Sequence, residues 1–246
     1  MIIGSEIIFL QSAESTNTTA SEYLKSGKAR EGLVIRAAYQ SSGKGQQGNR
    51  WESEEGKNLL FSVILFPTMV NPEDQFLISG FISLGITDFL KTMISDCKIK
   101  WPNDIYAGND KIAGILIENS ISGRTLTSSV AGIGLNINQA VFPDRIPNPV
   151  SLKVITGKDH DTTGCLEGLL KCLDKRYKMV ITGDRDQIRN DYTGSLYRLN
   201  EWHEFRSGEE IFSGRILSVG DSGLLMVENK AGQTREFAFK EIEFIL

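Results

Sequence analysis

Short runs rich in β-branched and aromatic residues occupy 6–10 and 33–39 and predict two strands. Between them Ser15-Thr16-Asn17 offers hydroxyl and amide groups for an N-cap, so a short helix is expected there, and Gly27 is placed to end it. Residues 58–66 form an apolar run too continuous for a strand with one wet face. The run belongs in the middle of a sheet, and Pro67 stops it. Asn71-Pro72-Glu73-Asp74 combines a capping amide, a proline at the first helical position and two carboxylates at the positive end of the helix dipole. Phe76, Leu77, Phe81, Leu84 and Phe89 then recur at helical spacing, which predicts a helix with one buried stripe reaching about residue 94.

Three further strands are predicted at 98–101, 111–118 and 125–138, with turns at Gly108-Asn109-Asp110 and Ser122-Gly123. Leu166, Leu169, Leu170, Leu173 and Tyr177 mark a second amphipathic helix, and 187–192 continues the helical stretch beyond Gly183. From about Glu201 the pattern changes to short strands at 210–217, 224–228 and 235–239, separated by Asp221-Ser222-Gly223 and Asn229-Lys230-Ala231-Gly232. The expected organisation is an α+β body over 1–200 and a small β-barrel domain over 201–246.

Composition narrows the function. The chain has 246 residues, 40% of them hydrophobic, which suits one or two compact domains and excludes disorder. Its 31 acidic and 27 basic residues leave a net charge of -4 without a basic tract, so no nucleic-acid partner is expected. Cys97, Cys165 and Cys172 show no C-x-x-C spacing, which argues against a disulfide framework and a zinc site; they read as core fillers. The first ten residues carry Glu6 and no basic start, and no run of ~18 apolar residues occurs, so a cytoplasmic protein without a membrane partner is expected.

Three segments carry candidate chemistry. Gly43-Lys44-Gly45-Gln46-Gln47-Gly48 formally matches G-x-G-x-x-G, but the next element along the chain is another strand rather than a helix, which removes the dinucleotide reading. A kinase glycine loop also joins two strands, yet the chain contains no H-R-D or D-F-G downstream of it. Lys44, Arg50 and Trp51 nevertheless gather two cations for phosphate and an aromatic face for a base. In the second segment, Lys100-Trp101-Pro102-Asn103-Asp104 is followed by Lys111, so a carboxylate and an ammonium stand at the two ends of one short connection. Such a lysine would offset negative charge growing on a phosphoryl group. In the third, Ala131-Gly132-Ile133-Gly134-Leu135-Asn136, two glycines within a strand indicate close approach by a ligand or another backbone, or a plain bulge.

Ser15-Thr16-Asn17, Tyr39-Gln40 with Gly43 to Trp51, Lys100 to Asp104, Lys111-Ile112-Ala113-Gly114-Ile115-Leu116 and Gly132 to Asn136 occur in an order and spacing that resembles the biotin protein ligases. The resemblance covers essentially the whole chain and starts at the catalytic domain. It implies an α+β fold with a mixed central sheet and flanking helices, of the class II synthetase and biotin/lipoate ligase type, plus a Src-homology-3-like barrel. Bifunctional members also carry an N-terminal operator-reading domain for which this sequence has no room, so a ligase rather than a repressor is expected.

The activity implied is ligation of biotin to a lysine of a biotin carboxyl carrier protein, with ATP and biotin as substrates and Mg²⁺ entering with ATP. By resemblance, Ser15, Thr16, Asn17 and Gln40 bind the ureido end of biotin, and Gly114 and Leu116 offer backbone groups to its carboxylate end. Lys44, Gly45, Gln46 and Lys111 also reach biotin. The adenylate falls to Gly43, Lys44, Gly45, Gln46, Gln47, Gly48, Arg50, Trp51, Asn103, Lys111 and Asn136. Lys111 and Lys44 are the implied catalytic cations, and Asp104 orients or deprotonates the acceptor amine. No metal site in the protein itself is implied, and an exposed sheet edge offers a route to a homodimer. The sequence departs from the family's usual G-R-G-R-x-G loop, since Lys44 and Gln46 stand at the two arginine positions. Leakage of activated biotin is the expected result. The rival reading, a lipoate or octanoyl ligase or transferase, shares the fold.

Overall fold

The computed structural model describes residues 1–245, with the backbone but not the side chain of Gln47. The chain opens with β1 (Ile7–Ala13), α1 (Thr16–Lys25), β2 (Val34–Gln40) and β3 (Leu59–Leu65), then α2 (Phe76–Leu90), β4 (Lys98–Lys100), β5 (Asp104–Ala107), β6 (Asp110–Ser122) and β7 (Thr125–Leu135). Three helices come next, α3 (Leu152–Thr156), α4 (Thr162–Thr182) and α5 (Arg185–Gly194). The chain ends in β8 (Trp202–Ser207), β9 (Glu210–Val219), β10 (Leu225–Asn229), β11 (Thr234–Phe237) and β12 (Glu243–Phe244). The first seven strands form one mixed sheet in the order β1-β2-β3-β7-β6-β5-β4, and the last five form an antiparallel sheet, β11-β10-β9-β8-β12.

Every residue of β3 is buried, because β2 and β7 flank it and both faces are covered. Side-chain alternation divides those faces. Phe61, Val63, Ala131 and Ile133 join the main core with residues of α2 and α4, while Ile64 and Val130 meet Ala20 of α1 on the other side. The main core continues through Trp101 into Phe205, Ile216 and Leu225 of the second sheet. Trp101 Nε1 also donates to the Gly223 carbonyl at 2.9 Å, and Arg189 of α5 pairs with Asp221 at 2.8 Å.

Several expectations need correction. The helix expected to reach residue 94 stops at Leu90, and it has no stripe: twelve of its fifteen residues are buried, since sheet and helices enclose it. The Asn71 side chain makes no cap bond, and Pro72–Asp74 is a separate 3₁₀ turn. β5, β8, β12 and α3 were not expected; each has six residues or fewer, too short to show a period. The strand expected over 125–138 ends at Leu135, where the Asn136 N–H turns to the Ile112 carbonyl.

Candidate active site

The sheet register lays out the floor of the site. Across four strands Asp104 faces Gly114, Gly114 faces Gly134, and Gly134 faces Leu60. In the next row Leu116 faces Gly132 and Gly132 faces Ser62. Paired residues share a face, so the glycines open a trough beside Asp104 and Ser62. Side chains already use it. A Cβ on Gly134 would lie 2.4 Å from the Trp51 indole and one on Gly114 2.8 Å from it, while a Cβ on Gly132 would meet Asn17 Oδ1 at 2.2 Å. The close approach expected at Gly132 and Gly134, by a ligand or another backbone, is instead by the Asn17 and Trp51 side chains. Above the trough lies a cavity of about 720 Å³, within the range of small-molecule sites.

One end of the cavity is uncharged. Ser15 occupies the N-cap of α1, but its side chain makes no cap bond; the Gln40 Oε1 accepts the Thr16 N–H instead, at 2.7 Å. This corrects the expected cap and leaves the Ser15 hydroxyl and the Gln40 NH₂ to the cavity, which both residues line. Thr16 and Asn17 are buried, and the hydroxyl of Ser62, also buried, lies 2.7 Å from Thr16 Oγ1 and 2.6 Å from Asn17 Oδ1. Asn17 Nδ2 donates to the Leu116 carbonyl at 3.3 Å and to Glu118 at 2.7 Å. Both Asn17 donors are thus used inside the fold.

The middle of the cavity is charged. Lys111 Nζ lies 2.7 Å from Asp104 Oδ1 and 5.7 Å from the centre of the Trp51 ring. A register shift between Ile105 and Tyr106 lies in the β5–β6 hairpin between them. The Lys111 backbone is fixed on both sides, its N–H donating to Asn148 and its carbonyl accepting from Val150. Asn103 donates to the Ile115 carbonyl at 2.7 Å and accepts the Ile115 N–H, which holds the Trp101-Pro102-Asn103 corner against β6.

Residues 43–51 form a hairpin. Trp51 N–H donates to the Gly43 carbonyl, Gly45 N–H to the Asn49 carbonyl, and a 3₁₀ turn, Gln46–Gly48, makes the tip. Gly43 must lack a side chain, since a Cβ there would lie 2.4 Å from the Trp51 carbonyl. Lys44, Gly45, Gln46, Arg50 and Trp51 all reach the cavity. Gln46 Oε1 and Trp51 Nε1 are buried without a hydrogen-bond partner among the described residues, so the hairpin holds polar atoms that a ligand can satisfy. Gln40, Arg50 and Trp51 also line a second cavity of about 590 Å³, whose far wall is Val141, Phe142 and Pro143.

Of the residues singled out in the sequence, Ser15, Thr16, Asn17, Gln40, Lys44, Gly45, Gln46, Arg50, Trp51, Asn103, Asp104, Lys111, Gly114 and Leu116 line one cavity. Gly43 lines the second cavity. Gly48 forms the hairpin tip, at φ 86°. Asn136 is buried and lines neither cavity; it donates to the Val150 carbonyl and so braces the segment that holds Lys111. The Gln47 side chain lies outside the described residues. Sequence reasoning missed Ser62 and the wall supplied by the C-terminal segment, which includes Lys240 in the turn after β11 and Phe244 of β12. Lys100 lies between the sheets, bonded to the Tyr106 hydroxyl at 2.9 Å and 5.2 Å from the Phe244 ring centre.

Comparison with known proteins agrees with this arrangement. The model of the biotin/lipoate A/B protein ligase family matches residues 9–136. The bifunctional ligase/repressor BirA of Bacillus subtilis is 30% identical over 237 residues, 94% of this chain and 72% of that protein. The biotin--[acetyl-CoA-carboxylase] ligase of Paracoccus denitrificans is 29% identical over 229 residues, 89% of this chain and 93% of the relative. Among solved structures, the biotin protein ligase from Aquifex aeolicus in complex with biotin and ATP superposes with a TM-score of 0.80 at 26% identity, covering 97% of this chain and 98% of that one. Fold, cavity and sequence lead to one assignment: this chain belongs to the biotin/lipoate A/B protein ligase family.

Proposed function

We propose that the chain is an ATP-dependent biotin protein ligase, joining biotin to a lysine of a biotin carboxyl carrier domain through biotinyl-5′-adenylate. The observation that carries this reading is the Lys111–Asp104 pair, seated between an uncharged hydrogen-bonding end and the cationic hairpin in one cavity. In the first step a biotin carboxylate oxygen attacks the α-phosphorus of ATP and the bond to the β-phosphate oxygen breaks, releasing pyrophosphate. The substrates bring negative charge to the centre, and Lys111 stands where it can exchange Asp104 for the carboxylate and α-phosphate oxygens. In the second step the acceptor amine attacks the acyl carbon, the bond to the AMP oxygen breaks, and the amine loses a proton. Asp104, released from Lys111, is the carboxylate at hand to orient the amine or take that proton.

Ser15 and Gln40 at the uncharged end suit a cyclic urea, while Lys44 and Arg50 suit phosphate oxygens. The second cavity places the Trp51 ring and the apolar Val141, Phe142 and Pro143 within one space, which suits an adenine ring. A mixed anhydride hydrolyses, so the hairpin also serves to keep water out. Among the described residues no group of three or more His, Cys, Asp or Glu comes together. In this reading Mg²⁺ enters with ATP, carried largely by its phosphates. Residues 1–200 form the catalytic domain of this reading, and 201–246 a domain that completes the cavity wall. None of the described helices is long and apolar enough to cross a membrane; the reading places the reaction in the cytoplasm.

The test is titration of the purified protein with biotin and with lipoate, followed by biotin-dependent exchange of labelled pyrophosphate into ATP. Biotin binding with exchange is the expected result. Lipoate binding in its place, or biotin binding without exchange, would move the function to an acyl-transfer relative or a non-catalytic binder.

A further inference from the structure

Ser62 is a buried hydroxyl within a strand that otherwise reads Leu59-Leu60-Phe61 and Val63-Ile64-Leu65. Its oxygen has two oxygen neighbours, Thr16 Oγ1 at 2.7 Å and Asn17 Oδ1 at 2.6 Å, and one proton to share between them. The surroundings of Asn17 decide where that proton points. The Leu116 carbonyl and the Glu118 carboxylate are both acceptors, so they face the Asn17 NH₂ group and turn its carbonyl oxygen toward Ser62. An amide oxygen cannot donate. Ser62 must therefore donate to Asn17, and the Ser62 oxygen accepts the Thr16 proton.

We propose that Ser62, fixed through Asn17 by Glu118, is a positioning residue that commits the Thr16 proton to the fold and leaves Thr16 as an acceptor toward the cavity. Gln40 is polarised in the opposite sense, because its carbonyl oxygen already accepts the Thr16 backbone N–H and only its NH₂ group remains. The wall thus presents one fixed acceptor and one fixed donor side by side, so the ring bound there must carry an N–H beside a C=O. Resting on the ligase reading, this deepens it: selectivity for the cyclic urea is set by residues behind the wall as much as by those on it. A ring with oxygen in place of the N–H would set lone pairs against lone pairs in a buried place, where no water repairs the mismatch.

The test measures, by calorimetric titration of the full chain, the affinities for biotin and for its two analogues in which one or the other ring N–H is replaced by oxygen. Wild type is expected to reject at least one analogue by about 10–100-fold relative to biotin. In Ser62→Ala the Thr16 hydroxyl regains its rotation and can donate, so biotin binds more weakly while the rejection ratio falls by about tenfold or more. Glu118→Leu, at an exposed position that leaves the core of β3 intact, is expected to lower the ratio in the same direction and by less. Loss of thermal stability alone would not bring about that change in preference. Biotin binding with a ratio that both variants leave unchanged overturns the proposal alone. Wild-type protein that binds neither biotin nor its analogues overturns the ligase reading and this proposal with it.

Discussion

At the polar end of the cavity Thr16, Asn17 and Ser62 are buried and tied to one another, whereas the hairpin at 43–51 leaves Gln46 Oε1 and Trp51 Nε1 without a partner among the described residues and exposes Lys44 and Arg50. The first region hangs on the central sheet and the first turn of α1; the second is a hairpin on two stems that lays the Trp51 indole on Gly114 and Gly134 of the sheet. A site that must recognise a small ring profits from groups whose orientation is settled before the ligand arrives. A site that must admit a nucleotide, shield a reactive anhydride and then receive a protein lysine needs one side that opens. Lys111, braced on the sheet yet within reach of the Trp51 ring, sits where the two designs meet.

Substitutions can break this division of labour. The largest effect is expected from Lys111→Ala, which should lower adenylate formation about 100–1000-fold while biotin still binds. Pyrophosphate exchange and titration on one preparation check it, and equal exchange would remove Lys111 from the mechanism. Gly134→Ala places a methyl group against the Trp51 indole, and should raise the KM for ATP about tenfold with little change in biotin affinity. In a Trp51→Ala background the same change should cost less than about twofold, a coupling that a double-mutant cycle reads directly. Gln46→Arg returns a guanidinium to the hairpin, and should slow the escape of adenylate without acceptor by about two- to fivefold. Single-turnover assays measure it; equal retention in both proteins removes the leakage argument.

The smallest effect on catalysis is expected far from both regions, at Asp174. Burial on its own raises its pKa, but the Lys178 hydrogen bond and the N–H groups of Ile2 and Ile3 outweigh that and hold the carboxyl below its ordinary value. A lowered folded-state pKa stabilises the fold fully above the unfolded value of ~3.9, and that stability is lost as the pH falls through the folded value. Asp174→Asn should therefore lower the urea midpoint at pH 7 and flatten its decline toward pH 3, without altering the KM for biotin.

Legibility of the sequence followed the same division. The run that became β3, the strands β1 and β2 and the repeating leucines of α4 were visible because apolar residues recur over a turn or a strand length. β5 was invisible at four residues, although it carries Asp104 at its start. α2 misled for the opposite reason, since a helix packed on all sides has no polar face to complete a pattern. The cavity side chains were found as residue types in ordered motifs. Their partners were not, because Ser62 and Glu118 belong to the site only by register and through Asn17. One signal was present: a serine in the middle of an apolar strand requires a hydrogen-bond partner somewhere.

The bond from the Ile2 N–H to Asp174 joins positions 172 residues apart, and β3 obtains its second neighbour only when β7 has been made. On a ribosome these distances become times. The apolar strand that carries Ser62 emerges with one edge uncovered, and the trough of glycines beneath Trp51 cannot exist before β6 and β7 lie next to it. The recognition surface thus cannot take its form until Leu135 has been made, and until then the nascent chain carries an apolar strand edge of the kind that molecular chaperones meet.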